Sequence, residues 1–297
     1  MPFPIELLHY VRCSSDAGAL SVDGASDAEF ITDGQVRCST CGRRYQIQQG
    51  ILDLLATTSL EDTRSQLEMQ VRDAKAKTSA SVPSLGVEDA REIEATLACL
   101  GDGQGRVILE LGCGTGRFTR ELVRRFDKVL ALDFSAESLR VNAQTLTADQ
   151  CHVGFVRADV NQLQLRPASF DAALSTLYSN LPTRAIRLTS TQVVHTALKP
   201  QGKYVLSAHH QHLRRVLKRL PTADRYKNGI FYQTFTPASL KQELTAYFPN
   251  ATLNSICVSL PYLGRFQRLG KFYSRVVEKL PLFNRLGLLL LSTAVKT

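Results

Sequence analysis

The stretch Val107-Ile108-Leu109-Glu110-Leu111-Gly112-Cys113-Gly114-Thr115-Gly116-Arg117-Phe118 runs from an apolar strand straight into a helical pattern, with glycines at alternate positions of the turn. Glycine adopts positive φ at little cost, and its bare backbone comes close to a ligand where a Cβ would collide. A nucleotide-like molecule fits above such a turn. The dinucleotide fingerprint, the usual rival, spaces its glycines G-x-G-x-x-G so that a pyrophosphate rests on the helix N-terminus. Here the spacing is G-x-G-x-G, and Glu110 stands two residues before Gly112 at the strand end. A carboxylate there repels a pyrophosphate and suits a cationic ligand.

Working outward, Asp133 closes the next apolar run, 23 residues beyond Glu110, where a carboxylate accepts hydrogen bonds from ribose hydroxyls. Asp159 closes the run after that, placed to accept from an adenine amine. Short β-branched or leucine-rich runs predict strands at 107–111, 129–132, 153–156, 172–175 and 204–207, with two more at 251–260 and 286–295. Amphipathic periodicity predicts helices at 117–126, 136–146, 184–198 and 237–247, the last opened by Thr236 as N-cap and Pro237 in the first turn. Alternation of this kind is the pattern of an α/β, doubly wound, mostly parallel sheet of about seven strands, covered on both faces.

Glu110 to Gly116, Asp133 and Asp159 match, in order, motifs of class I S-adenosylmethionine-dependent methyltransferases, which the chain resembles over residues 90–297. Ser169-Phe170-Asp171-Ala172-Ala173-Leu174-Ser175 looks like that family's fourth strand, and Leu198-Lys199-Pro200-Gln201-Gly202-Lys203-Tyr204 like the turn into its fifth. The resemblance implies a Rossmann-like methyltransferase fold and S-adenosyl-L-methionine as cofactor. It places Glu110, Gly112, Cys113, Gly114, Gly116, Asp133, Phe134, Asp159, Val160 and Ser175 around that cofactor.

Methyl transfer from a sulfonium is an in-line displacement, so the protein mainly aligns the reactants and sets the ionisation of the nucleophile. Tyr178, after the fourth strand, is a candidate to flank the methyl group or touch the acceptor, with core packing as the alternative. Ser207-Ala208-His209-His210-Gln211-His212 follows the fifth strand, and a neutral imidazole at His209 or His210 suits a general base. A histidine in a loop is also commonly structural, and His212 opens a basic helix. Tyr226, Tyr232 and Phe235 are candidates for a lid or an apolar wall. The Asn-Pro-Pro-aromatic run of relatives that methylate exocyclic amines of nucleobases or glutamine is missing.

The N-terminal residues 1–56 resemble a small zinc ribbon: Cys13-Ser14-Ser15-Asp16 answers Cys38-Ser39-Thr40-Cys41, with a strand and apolar tail from Tyr45 to Leu55. Two Cys-x-x-Cys knuckles are the usual pattern, so this chain departs from it at Asp16. Thiolates dominate structural zinc sites but carboxylates also bind. Cys13, Asp16, Cys38 and Cys41 are the candidate ligands, His9 is an alternative fourth, and a metal-free ribbon held by packing is the other reading. Residues 57–89 read as a helical linker to a methyltransferase domain at 90–297.

Composition bounds the rest. The chain of 297 residues has 44% hydrophobic content and a formal charge of +9, which favours anionic partners without choosing among them. Its N-terminus carries Glu6 and no secretory pattern, so a cytoplasmic location is expected, and that location would keep the cysteines reduced. The apolar run 286–291 is far too short to cross a bilayer. Three functions are weighed. A small-molecule methyltransferase fits a pocket roofed by 213–286. An RNA methyltransferase fits the basic clusters and the ribbon; the segment from Arg265 to Phe272 also reads as an amphipathic helix suited to an anionic membrane surface. A cofactor-binding scaffold without catalysis is the third. Oligomeric state and acceptor atom have no sequence signal.

Overall fold

The computed structural model describes residues 1–24, 28–55, 63–78, 86–147, 150, 152–176, 178–227, 229–258, 267–278, 280 and 285–297. In chain order the N-terminal part holds β1 (Phe3–Pro4), a 3-10 turn at Ile5–Tyr10, β2 (Val11–Arg12), β3 (Leu20–Val22), β4 (Phe30–Ile31), β5 (Gly34–Cys38), β6 (Arg44–Gln48) and β7 (Ile51–Asp53). Then come α1 (Thr63–Thr78), α2 (Val87–Leu100), β8 (Gly103–Leu111), α3 (Thr119–Leu122), β9 (Phe126–Asp133), α4 (Ala136–Gln144) and β10 (Val153–Arg157). The chain continues through β11 (Gln164–Leu165), β12 (Phe170–Ser175), α5 (Arg184–Ala197), β13 (Leu198–His210), α6 (Leu213–Leu217), β14 (Ala223–Arg225) and β15 (Phe231–Phe235). It closes with α7 (Pro237–Leu244), β16 (Thr252–Ile256), α8 (Gln267–Val277) and β17 (Leu289–Val295).

The central sheet runs β10-β9-β8-β12-β13-β17-β16. Its first five strands are parallel, and β17 lies antiparallel between β13 and β16. The continuous apolar runs follow from burial on both faces. Leu109, Leu130 and Ala173 join one core, while Ile108, Val129 and Leu174 join the other, the period-two alternation of a pleated strand. Parallel strands gather their carboxyl ends on one edge, and the glycine turn, Asp133, Ser175 and His209 all arrive there.

The structure departs from the sequence expectations in three places. The helix expected at 117–126 shrinks to α3, because β9 already starts at Phe126. The expected linker holds α1, which is docked: Ser135 Oγ, the N-cap of α4, donates to Asp73 at 2.5 Å. Residues 259–260 of the expected strand, and 56–62 and 79–85 around α1, lie outside the described residues.

The third departure concerns the N-terminal module, whose sheet is continuous with the central one. β7 pairs in parallel with the edge strand β10, Ile51 opposite Phe155, and β6, β5 and β3 follow beyond it. An ion pair at 2.9 Å between Arg157 and Asp53 crosses the joint. Phe3 and Leu7 press on Gly154, where a Cβ would stand only 3.0 and 2.8 Å from their carbons. Phe3, Leu7 and Val11 therefore share one core with Leu132 and Val156. The sequence sets this module apart by composition, but hydrogen bonding and packing join it to the body.

Candidate functional site

The turn after β8 is built by glycines that are needed for different reasons. All three have positive φ, +70° at Gly112, +52° at Gly114 and +91° at Gly116. A Cβ on Gly116 would lie 2.2 Å from Asn142 Oδ1, so this glycine serves the packing of the turn on α4. A Cβ on Gly114 would meet nothing within 4 Å, so this one faces open space. Gly112 N and Cys113 N both donate to Leu132 O, at 2.8 and 3.0 Å, and lash the turn to β9.

Asp133 at the end of β9 closes the arrangement. Gly114 N donates to its Oδ2 and Ser135 N to its Oδ1, each at 2.9 Å. A carboxylate has about four acceptor positions, so capacity remains for hydroxyls of a ligand. Burial pushes the Asp133 carboxyl up from its ordinary value, against the pull of Arg72 and the backbone donors. Glu110 lies wholly inside, and burial raises it to about 7; the Thr119 hydroxyl, donating at 2.7 Å, opposes that rise and Asp133 adds to it. Asn142 Nδ2 in turn donates to Thr119 Oγ1 at 2.8 Å. The buried acids behind the turn make an environment that favours positive charge above it.

Two cavities flank the turn. The smaller, about 130 Å³, is lined by Asp133, Phe134, Asp159, Val160, Ser175 and Leu181 among others. Asp159 there is held by Asn161, whose N and Nδ2 donate to Oδ1 at 2.9 and 3.0 Å. The larger, about 600 Å³, is lined by Cys113, Gly114, Glu92, Arg117, His209 and Tyr226 among others. Gly112, Arg72 and Asn180 border both. Glu110 and Gly116 border neither: they shape the turn from behind. Arg72, Lys75 and Ala76 of α1 enter as walls that sequence reasoning missed, since a polar helix after a domain boundary carries no glycine or acidic signal. Asn180, Leu181 and Pro182 were missed too, being visible only as a non-matching motif.

The three candidates for catalysis separate. His209 borders the larger cavity, with Nε2 3.1 Å from the Tyr226 hydroxyl and a buried Nδ1 that has no partner among the described residues. Burial first, then Arg215 and Arg117, holds this imidazole down to about 4, so it is neutral near pH 7. His210 points elsewhere: its Nδ1 meets Gly287 O at 2.8 Å and Ser255 Oγ at 3.3 Å, ties that hold β13 to its neighbours. Tyr178 is fully buried, donating to Glu243 Oε2 at 3.2 Å. Arg187 clasps the same carboxylate with two bonds of 2.8 Å. Tyr178 is thus a core residue, because the turn after β12 folds inward instead of toward the carboxyl edge. Tyr226 and Tyr232 stack at 4.5 Å beside His209, whereas Phe235 packs on Tyr178 in the core. His212 is the N-cap residue of α6.

In the N-terminal module, one ligand atom from each of Cys13, Asp16, Cys38 and Cys41 falls within 4.8 Å of every other. Cys13 Sγ and Cys41 Sγ are 3.7 Å apart, and Cys38 Sγ is 3.3 Å from Asp16 Oδ1. Gly18 N, donating at 2.9 Å, leads the interactions that lower Asp16 to about 2. Net, Cys41 is raised to about 11, with burial and the neighbouring Asp16, Cys13 and Cys38 outweighing a backbone bond from Arg43. His9, the alternative ligand, is engaged elsewhere, with Nδ1 2.9 Å from Arg166.

Comparisons with known proteins agree with this geometry. Residues 108–202 match a methyltransferase-domain family model. A phosphoethanolamine N-methyltransferase 1 of Arabidopsis thaliana is 34% identical over 92 residues, 31% of this chain and 18% of the relative. A ribosomal RNA small subunit methyltransferase A of Mycoplasma mycoides is 26% identical over 98 residues, 32% of this chain and 36% of the relative. This chain thus spans about a fifth to a third of the lengths of these curated relatives. A Haloferax volcanii complex between the Trm112 methyltransferase activator and a methyltransferase superposes with TM-score 0.54 at 16% identity, covering 79% of this chain and 97% of that one. Family match and fold agree: residues 108–202 carry a methyltransferase domain, set on the Rossmann-like sheet described above. Its glycine turn lies between the two cavities, with Asp133 and Asp159 lining the smaller one.

Proposed function

We propose that the protein transfers a methyl group from S-adenosylmethionine to a small-molecule acceptor seated in the larger cavity. The observation that carries this reading is the glycine turn standing between two cavities, one with Asp133 and Asp159, the other with the neutral, half-buried imidazole of His209. Fit to the cofactor rests on this chain's own features: spare acceptor capacity on Asp133, open space where a Cβ of Gly114 would be, and buried Glu110 favouring a cation. When bound, S-adenosylmethionine supplies a methyl group on a positively charged sulfur. Asp133 would accept from the ribose hydroxyls, Asp159 from the adenine amine, and Phe134 and Val160 would flank the ring. On the acceptor side His209, which lines the larger cavity beside the Tyr226 hydroxyl, would take the proton released by the nucleophile.

Titration calorimetry with S-adenosylmethionine, S-adenosylhomocysteine and NADH tests the cofactor side, the first two binding and the third not. His209→Gln is expected to lower turnover by about 10²-fold with cofactor affinity unchanged, measured as transfer of labelled methyl to a panel of hydroxyl and amine acceptors. Equal turnover in the variant removes His209 from the reaction. An RNA acceptor is the second reading, favoured by the cations exposed between 214 and 227, and ribosomal RNA belongs in the same panel.

The N-terminal cluster is read as a zinc site. Tetrahedral zinc with Zn–S of about 2.3 Å sets its sulfurs about 3.8 Å apart, near the 3.7 Å between Cys13 and Cys41. Three thiolates and Asp16 fit that geometry. No step of methyl transfer involves it.

A further inference from the structure

Ten of the twelve large apolar side chains exposed among the described residues fall between Leu213 and Leu288. Four of them, Leu213, Val216, Leu217 and Leu220, recur at the spacing of one helical face. α6 buries none of its residues, and Leu217 is 74% exposed. The segment is not loose: Arg215 donates to Gln211 Oε1 and to Pro221 O, at 3.1 and 2.9 Å, and Leu220 N bonds Arg215 O at 3.0 Å. The face is held out in water by a built scaffold.

Cations surround it. Residues 212–227 hold Arg214, Arg215, Lys218, Arg219, Arg225 and Lys227 against Asp224 alone, a balance of +5 within a chain total of +9. α8 repeats the design. Its Gly270, Ser274 and Val277 are buried, and ion pairs from Arg275 to Glu94 and from Arg91 to Glu278 lay it along α2. Its other side shows Leu269, Phe272, which is 63% exposed, and Val276, with Lys271 between them. Both elements reach the carboxyl edge of the sheet. α6 starts three residues beyond β13, and Glu278 accepts from Cys257 N beside the end of β16. Exposed Leu288 borders the larger cavity at that same edge.

We propose that this edge docks on an anionic lipid surface, with α6 as the inserted element and the cavity opening beside it. The chemistry discriminates between occupants. A nucleic acid would satisfy the cations but leave four aliphatic side chains in water. A second copy would cover the aliphatic face but set +5 against +5 across a two-fold axis. An anionic bilayer takes the leucines into its acyl boundary and the arginines and lysines among its headgroups. No helix among the described residues is long and apolar enough to cross a membrane, so the contact is peripheral.

Co-sedimentation of the full chain with vesicles of phosphatidylcholine, alone or mixed with phosphatidylglycerol, tests this. The expected result is a preference of more than about tenfold for the anionic vesicles. Leu217→Glu and, separately, Lys218→Glu with Arg219→Glu should each reduce it about tenfold, with melting temperature and S-adenosylmethionine binding unchanged. Equal or absent partition onto both vesicles overturns the proposal. So does undiminished binding by Leu217→Glu, which would leave the apolar face without a role. A dimer in light scattering that Leu217→Glu dissociates would assign the face to a second copy, and tight binding to an RNA hairpin with no vesicle binding would assign it to nucleic acid.

Discussion

Asp133 joins β9 to two neighbours at once, through Gly114 N and Ser135 N. Asp133→Ala is therefore expected to act on binding and on stability together. Cofactor affinity should fall by more than about tenfold, since each hydrogen bond to a charged group contributes about 1.5–3 kcal/mol. The melting temperature should fall too, because two backbone donors lose their acceptor; calorimetry and thermal melts read the two effects, and unchanged affinity would remove Asp133 from the site. Glu110 gives a pH signature. Its carboxyl is raised from 4.5 to about 7 in the fold, so the folded chain holds a proton that the unfolded chain releases. That contribution is complete below about 4.5 and lost as pH rises through about 7. Glu110→Gln should flatten the fall in melting temperature across this window, and parallel curves for variant and wild type would contradict it. His209 has the opposite sign: lowered from 6.5 to about 4, it favours the fold above 6.5 and withdraws that support as pH falls through about 4.

At the scale of elements, the sequence was most legible where one residue type has one physical job. Alternating glycines flanked by a strand-end acid located the turn, because glycine takes the three positive φ values there at the least cost. Thr236 and Pro237 marked the start of α7, whose capping box with Ser239 is formed. Tyr178 and His210 were illegible: whether a side chain after a strand faces a cavity or the core depends on the turn, and both turn inward onto Glu243 and Gly287. The N-terminal cluster was legible through its resemblance to a ribbon's two knuckles, and Cys13, Asp16, Cys38 and Cys41 do come together. Cys38→Ser is expected to abolish zinc retention and lower the melting temperature. Elemental analysis showing no zinc in wild-type protein would leave that module held by its hydrogen bonds, such as Tyr45 to Cys13.

At the scale of the whole molecule, the joint between β7 and β10 had no sequence signal. Ile51-Leu52-Asp53 is too short to declare a partner a hundred residues away. Its energetic weight is nonetheless large. Burying Phe3, Leu7, Leu8 and Val11 is worth about 1.5–3 kcal/mol for each side chain as an upper figure, against a total stability of about 5–15 kcal/mol for a domain. Deleting residues 1–55 should therefore leave the remainder insoluble or without a cooperative melt. A soluble truncated chain melting at the wild-type temperature would show instead that the body stands by itself.

The same joint also orders events during synthesis. Ile51–Asp53 leave the ribosome about a hundred residues before Val153–Arg157, a delay of about 5–20 s at ordinary elongation rates. Until then the parallel edge of β7 has no neighbour, and the faces of Phe3 and Leu7 that later close over Gly154 have nothing to cover them. Through that interval this strand edge and these apolar faces wait for their partner, and slow codons placed between the two segments would lengthen the wait.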